Sequence, residues 1–206
     1  MIDQFSGPNR FLPTDEPSIV IAVDADYCPL CGAAVEHREV DGRERAYCPN
    51  CERVLWRTAV PSVAVAVVDV DESRRDSSAS QTQSDDGDRV CCIRRGQPPA
   101  EGAWALPGGH PEHDEPLAEG AARELEEETG LHVDPDDLEP IGTGFAAGSE
   151  RNHAAIHFGV NRAAATGATE AGDDADAVAF LTPDAYDERE SLVHDRASVE
   201  EALRRF

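Results

Sequence analysis

The sequence predicts an α/β layered domain behind a small cysteine-rich module. Two observations carry that expectation. Apolar, β-branched runs lie on both sides of one strongly patterned helix, and a second helical stretch closes the chain. Ahead of the first long strand, four cysteines fall into two C-x-x-C pairs.

The elements follow in order. Residues 1–23 form a lead-in with Pro8, Pro13 and Pro17, ending in one short strand within "SIVIAV". Residues 24–58 are dominated by the cysteine spacing. "PSVAVAVVDV" (61–70) reads as a buried strand. The polar, serine-rich stretch 71–88 has no large apolar residue, so it cannot offset its ordering entropy and is expected to be a flexible loop. "RVCCIRR" (89–95) resumes strand character, which makes a long-looped hairpin. "GAWALPGG" is a further strand ending in a Pro-Gly-Gly turn. After the helix come strands in "LEPIGTGFAA" and "HAAIHFGV", the acidic loop "GATEAGDDAD", a strand at "AVAFL" and a helix near "DRASVEEALRRF". There is no internal repeat. The main domain is expected to span 59–206.

The formal net charge is −24, and all 18 basic residues are arginine. A single-sign acidic surface keeps a protein soluble and repels phosphate backbones. Such a balance suits a salt-rich cytoplasm, where screening weakens self-repulsion, so a halophilic source is expected. The absence of lysine excludes a P-loop lysine and a Schiff base. With no run of 18 apolar residues and no signal-peptide pattern at the N-terminus, a cytoplasmic protein without a membrane span is expected. A homodimer is left open.

Cys28, Cys31, Cys48 and Cys51 form two pairs separated by 16 residues. Zinc prefers four tetrahedral thiolates, and each C-x-x-C knuckle presents two. The polar stretch between the pairs contains Asp41-Gly42, a hairpin turn signal, and cannot make a core of its own. A bound Zn²⁺ would hold the module together. Four cysteines fill the coordination sphere, so the site is structural. Reduced thiols or a redox pair are the alternative. Cys91 and Cys92 are adjacent in a strand, point to opposite faces and read as small buried hydrophobes.

The helix is "LAEGAARELEEET", with Asp114 or Glu115 available as its cap, Pro116 in its first turn and Gly130 as its stop. Leu117, Ala118, Ala121, Ala122 and Leu125 form one stripe. Glu124, Glu127 and Glu128 border it at the C-terminal end, where the helix dipole opposes them. Gly120 adds a cost of about 1 kcal/mol. A solvated acidic face accounts for Glu119 and Glu126 but poorly for Glu128, which borders the core. A hard divalent cation, approaching over the side-chain-free Gly120, would relieve these penalties together.

Gly109, five residues, Glu115, seven residues, then "RELEEETGL" (123–131) matches the Nudix box G-x5-E-x7-R-E-U-x-E-E-x-G-U at every fixed position. The chain thus resembles the Nudix hydrolases, and "WALPGG" enters the box as in many of them. The resemblance implies an α/β/α sandwich with a mixed sheet, and Mg²⁺- or Mn²⁺-dependent hydrolysis of a nucleoside diphosphate linked to another moiety. By the same resemblance Glu127 and Glu128 are metal ligands, Glu124 is a ligand or water activator, and the Gly108 carbonyl is a backbone ligand. Arg123 would orient the glutamates, and Glu115 would support loop and helix. A further base comes from a later loop in this family; Glu150, Glu170, Asp173 and Asp174 are candidates. His153 and His157 share a strand face and are expected to line the sheet.

A four-cysteine ribbon before such a domain is similar to the NADH pyrophosphatase group. That group's Ser-Gln-Pro-Trp-Pro-Phe-Pro signature is missing here: "HVDPDDLEPIGTGFAAGSERNH" stands in its place. Nor does a proline of the ADP-ribose hydrolase kind lie near Phe145. Trp104, Phe145 and Phe158 are candidates to stack on a base. A nucleotide-type small molecule is the expected substrate. The alternatives are a non-catalytic nucleotide sensor, whose box would have lost charges, and a zinc-ribbon adaptor for nucleic acid or protein built on Arg38, Arg43, Arg45, Arg53 and Arg57.

Overall fold

The structure, a computed structural model, describes residues 19–70, 87–148, 151–172, 174–192 and 195–206. Most of the lead-in (1–18), most of the serine-rich loop (71–86), Glu150 and Asp173 lie outside these residues. Two compact units are present, Met1–Ala59 with Ser149–Arg151, and Val60–Gly148 with Asn152–Phe206.

The first unit is a four-stranded sheet made of β1 (Ile19–Ile21), β2 (Glu36–Val40), β3 (Arg43–Cys48) and β4 (Arg53–Arg57), in the order β1-β4-β3-β2. β1 is parallel to β4, while β2, β3 and β4 run antiparallel. Asp41 and Gly42 turn between β2 and β3 with φ of 53° and 71°, the paired positive values that a two-residue hairpin needs. Its apolar core is small: Ile19 and Leu55 are buried beside Cys28 and Cys48.

The second unit is a mixed sheet in the order β11-β6-β5-β10-β9. Its strands are β5 (Val60–Asp69), β6 (Arg89–Arg95), β7 (Trp104–Ala105), β8 (Gly108–Gly109), β9 (Glu139–Ala146), β10 (His153–Asn161) and β11 (Ala175–Leu181). β10 pairs with β5 in parallel, and every other pairing in this sheet is antiparallel. Helices α1 (Leu117–Thr129), α2 (Pro183–Asp187) and α3 (Arg196–Arg205) complete it. β5 is apolar from Val63 to Val68, where both its faces are covered. Val63, Val65 and Val67 pack with Ala121 and Leu125 of α1, while Ala64, Ala66 and Val68 pack with Val199 and Ala202 of α3. Helices on both faces of one sheet make the expected sandwich. Cys91 joins the α1 side and Cys92 the α3 side, each at most 1% exposed.

Two local expectations are corrected and one element is added. "GAWALPGG" is two short strands on different partners: β7 pairs β6, and β8 pairs β5. The break lets Gly108 press against β5, where a Cβ would meet the Val63 carbonyl and lie 2.6 Å from the Ala64 Cα. The start of α1 has no side-chain cap. Pro116 holds the cap position, and Glu115 turns to Arg123 instead. The short helix α2 was not expected; Thr182 caps it by accepting the Ala185 N–H at 3.2 Å. Gly130 ends α1 in the left-handed conformation, φ 71°, as expected.

Candidate functional site

In the first unit the four cysteine sulfurs lie within 4.8 Å of one another. Cys28 and Cys51 are 3.9 Å apart and Cys31 and Cys48 3.5 Å, bracketing the edge of about 3.8 Å that four Zn–S bonds of ~2.3 Å define in a tetrahedron. The Cys51 N–H donates to Cys48 Sγ at 3.3 Å, as backbone amides do around knuckle thiolates. A hydrogen bond from the Ala33 backbone, with help from Asn50, pulls the Cys31 thiol down to about 6, while its hydrogen bond with Cys31 pushes the Cys51 thiol up to about 12, so the crowded sulfurs share protons that a bound metal would displace. The donor set and spacing fit zinc.

In the second unit, Arg123 is the centre on which the predicted box residues gather. Its Nε and Nη2 grip Glu115 at 2.9 and 3.0 Å, the bidentate geometry that suits guanidinium. Nη1 donates to Glu124 at 3.0 Å and to Glu127 at 2.9 Å. Nη2 also donates to the His110 carbonyl at 3.1 Å, tying the loop before the helix to its middle. These bonds, with the Glu112 N–H at 3.0 Å, hold Glu115 below the usual carboxylate range.

Glu124 is half-buried, and burial raises its carboxyl against the pull of Arg123. Gly109 gives it room: a Cβ there would stand 2.5 Å from Glu124 Oε2. Glu128 is only 6% exposed and accepts the Gly108 N–H at 2.7 Å. Burial pushes it up to about 8; repulsion from Glu124 and Asp174 adds to the rise, while the Gly108 amide and Arg95 oppose it. Glu126 instead faces outward and pairs with His132 at 3.0 Å.

These carboxylates do not close into a ready-made cage. Among the described residues, the cysteine cluster is the only group of three or more ligand atoms this tightly gathered. Glu124 and Glu127 are turned to Arg123, and Glu128 to Gly108. An open set of hard oxygen donors suits a cation that keeps several waters and also binds substrate phosphates, as Mg²⁺ does. The oxygen donors, the burial of Glu128 and the mutual repulsion fit such an ion.

Of the two later-loop candidates among the described residues, Glu170 and Asp174, it is Asp174 whose charge is felt at Glu128. Its Oδ1 accepts from Gln97 at 2.5 Å and its carbonyl from the Gly96 N–H at 2.7 Å. Glu170 is exposed, and its backbone N–H caps the Thr129 carbonyl at the end of α1. Two residues not foreseen stand close by. Arg95 is the positive charge nearest in effect to Glu128, and strand alternation from Cys91 would have placed it on this face. His110 pairs with His153 at 3.2 Å at the start of β10, while His157, four residues on along the same strand, is fully buried. Phe158 lies in the core at 4% exposure, and Trp104 is half-buried beneath Arg189. Phe145 is 63% exposed on β9 opposite Ala154, on the sheet face that Ile156 presents to α1.

Comparison with known proteins agrees with this arrangement. The NUDIX domain family matches residues 74–203. A MutT-like protein of Streptomyces ambofaciens is 38% identical over 119 residues, covering 57% of this chain and 70% of that protein. A NUDIX hydrolase from Nitrosomonas europaea has a TM-score of 0.62 at 19% identity, over 88% of this chain and 92% of the other. The NUDIX domain of Shewanella oneidensis NrtR, solved with ADP ribose, has a TM-score of 0.57 at 17% identity, over 77% of this chain and 93% of the other. At those identities the structural likeness speaks to the fold alone. The family match, however, covers more than half of the chain and runs through every residue gathered on Arg123. On that ground the chain belongs to the NUDIX domain family and is a Nudix pyrophosphohydrolase.

Proposed function

We propose that the second unit hydrolyses a phosphoanhydride bond in a nucleoside diphosphate linked to another moiety, with Mg²⁺ or Mn²⁺ as the cation. The observation that carries this reading is Glu128, a carboxylate buried at the end of a helix with two further glutamates beside it and one arginine shared among them. Glu127 and Glu128 would hold the cation with the Gly108 carbonyl. Glu124 would share in that or take the proton from the attacking water. Arg123 and Glu115 keep the glutamates aimed. When bound, the cation neutralises the diphosphate, polarises phosphorus and lowers the pKa of a water. Arg95 stands where it can balance phosphate charge, Asp174 is the candidate second base, and Phe145 is the aromatic open to a base. The four cysteines hold structural Zn²⁺. Among the described residues no helix is long and apolar enough to cross a membrane, and the charge balance favours a salt-rich cytoplasm.

The competing readings have less support. A sensor needs no hydrolytic glutamates, and here all are kept. For the nucleic-acid adaptor, several ribbon arginines are engaged within their own unit: Arg38 with Glu36 and the Tyr47 ring, Arg57 with Asp24, Arg45 with the Trp56 ring.

The test is turnover in high potassium salt with Mg²⁺ or Mn²⁺. NADH, ADP-ribose, dinucleoside polyphosphates and nucleoside triphosphates would be given to the wild type and to Glu127→Gln. Because the NrtR domain was solved with ADP ribose, that class comes first. Cleavage of a phosphoanhydride, reduced about 100-fold or more by the substitution, is expected. Equal turnover by the variant, or no turnover of any compound, would end this reading.

A further inference from the structure

On the α3 side of the sheet, three polar side chains are buried together. His157 is 1% exposed, Asp195 3% and Ser198 4%. His157 Nδ1 is hydrogen-bonded with Ser198 Oγ, and its Nε2 lies 3.8 Å from Asp195 Oδ1. Asp195 and Ser198 stand at the start of α3, so one imidazole is hydrogen-bonded to one side chain of that helix end and packed against the other. Asp195 holds the cap position of α3, yet its side chain makes no capping bond. Its Oδ2 instead accepts the Leu106 N–H at 3.1 Å.

Such a cluster is costly to bury, and apolar residues could fill the same space. The chain nonetheless makes room for it. A Cβ on Gly144 would lie 3.2 Å from His157 Cε1, and one on Gly142 would lie 3.1 Å from Ser198 Oγ. The next strand over is therefore stripped of side chains where the imidazole and the serine pack.

What the cluster holds explains its position. Leu106 is two residues before Gly108, whose N–H binds the Glu128 carboxylate. Between them, the Pro107 carbonyl accepts the Val65 N–H of β5 at 2.9 Å. Proline at this point fixes φ and offers no N–H of its own. The segment is thus pinned at three successive residues: Leu106 to Asp195, Pro107 to β5, Gly108 to Glu128. Only the first of these pins depends on a side chain behind the sheet.

We propose that Asp195, braced by His157 and Ser198, is a positioning residue that fixes the Leu106–Gly108 backbone and so sets where Gly108 and Glu128 meet a divalent cation. This rests on the reading of Gly108 and Glu128 as cation ligands. Asp195 touches no reacting atom. Its effect is on geometry, and small displacements of ligands are enough to weaken a metal site.

The test uses the full chain with its zinc, and three variants: Asp195→Asn, Asp195→Leu and Ser198→Ala. Asparagine keeps an oxygen for the Leu106 N–H. Leucine fills the volume without one. Mn²⁺ binding is read by electron paramagnetic resonance without substrate, and amide hydrogen exchange is read at Leu106 and Gly108. Asp195→Leu is expected to bind Mn²⁺ about tenfold more weakly and to exchange faster at both amides. Asp195→Asn should recover most of the affinity, and Ser198→Ala should fall between. At saturating Mn²⁺ the KM for substrate should change less than about twofold, because uniform substrate binding is untouched. Wild-type affinity in Asp195→Leu overturns the proposal; if that variant does not fold, wild-type affinity in Ser198→Ala does so. Should the wild type itself bind no Mn²⁺, the cation reading fails separately. Exchange at Leu106 and Gly108 then still decides whether Asp195 sets this backbone.

Discussion

Glu128 stands on the last turn of α1, borders the core, and has Gly108 as its hydrogen-bond donor. Its carboxyl is raised from its ordinary value to about 8. The sign of the consequence follows from proton binding. Between about pH 4.5 and 8 the folded state keeps a proton here that the unfolded chain has released, so this group's contribution to stability is full at low pH and is lost as pH rises. The slope from one such group is at most about 1.4 kcal/mol per pH unit. Urea unfolding of the cation-free wild type, compared with Glu128→Gln, should show the extra loss in the wild type across that window. Identical pH profiles would mean that Glu128 ionises as freely folded as unfolded. Arg123 is the complementary residue: its charge is shared among Glu115, Glu124 and Glu127, so the box arginine is as much a spacer for carboxylates as a countercharge.

At the scale of the element, the C-terminal end of α1 is fixed by contacts from distant chain. Gly130 reverses the chain, and the loop after β10 returns to cap it, with the Glu170 N–H on the Thr129 carbonyl at 2.9 Å and the Gly172 N–H on the Glu128 carbonyl at 3.3 Å. Besides the open path for a cation that its place on the helix suggests, Gly120 makes room for the loop before the helix. A Cβ there would stand 2.8 Å from Glu115 Oε2 and 3.2 Å from Pro111 Cβ, so the glycine admits the loop carboxylate that braces Arg123. For Gly120→Ala, a gain in helix propensity of up to about 1 kcal/mol offsets the clash. Thermal stability should therefore stay within roughly 1 kcal/mol of the wild type, while turnover falls as Glu115 is displaced. Unchanged turnover would show that Glu115 has no part in aligning the site.

For the molecule as a whole, the two units differ in what makes them fold. The second has two apolar cores, one on each face of a long central strand. The first buries two aliphatic residues and two cysteines, so small a core that a zinc on the four cysteines is expected to hold it. A zinc-selective chelator, with Mg²⁺ kept in excess, should remove hydrogen-exchange protection from β2, β3 and β4 and leave it on β5 and α1. Protection that survives in the ribbon would argue against zinc as its organising element.

The local patterns in the chain were enough for several of these features. The continuous β-branched run "VAVAVV", the Asp-Gly turn, the C-x-x-C pairs and the 23-residue box each state their geometry within a short stretch of chain, because strand propensity, helix pitch and knuckle spacing are short-range. They pointed to the layered α/β domain, the cysteine module and the cluster of glutamates, and the family resemblance carried by the box supplied the sandwich. Tertiary structure alone decided what lies between distant segments. It split "GAWALPGG" between two strands, brought the charge of Asp174 to bear on Glu128, and buried His157 with Asp195 and Ser198 behind the site. Those outcomes depend on which faces meet after the sheet closes. A hydrogen bond from Leu106 to Asp195, 89 residues apart, leaves no periodicity in the sequence for its partners to share.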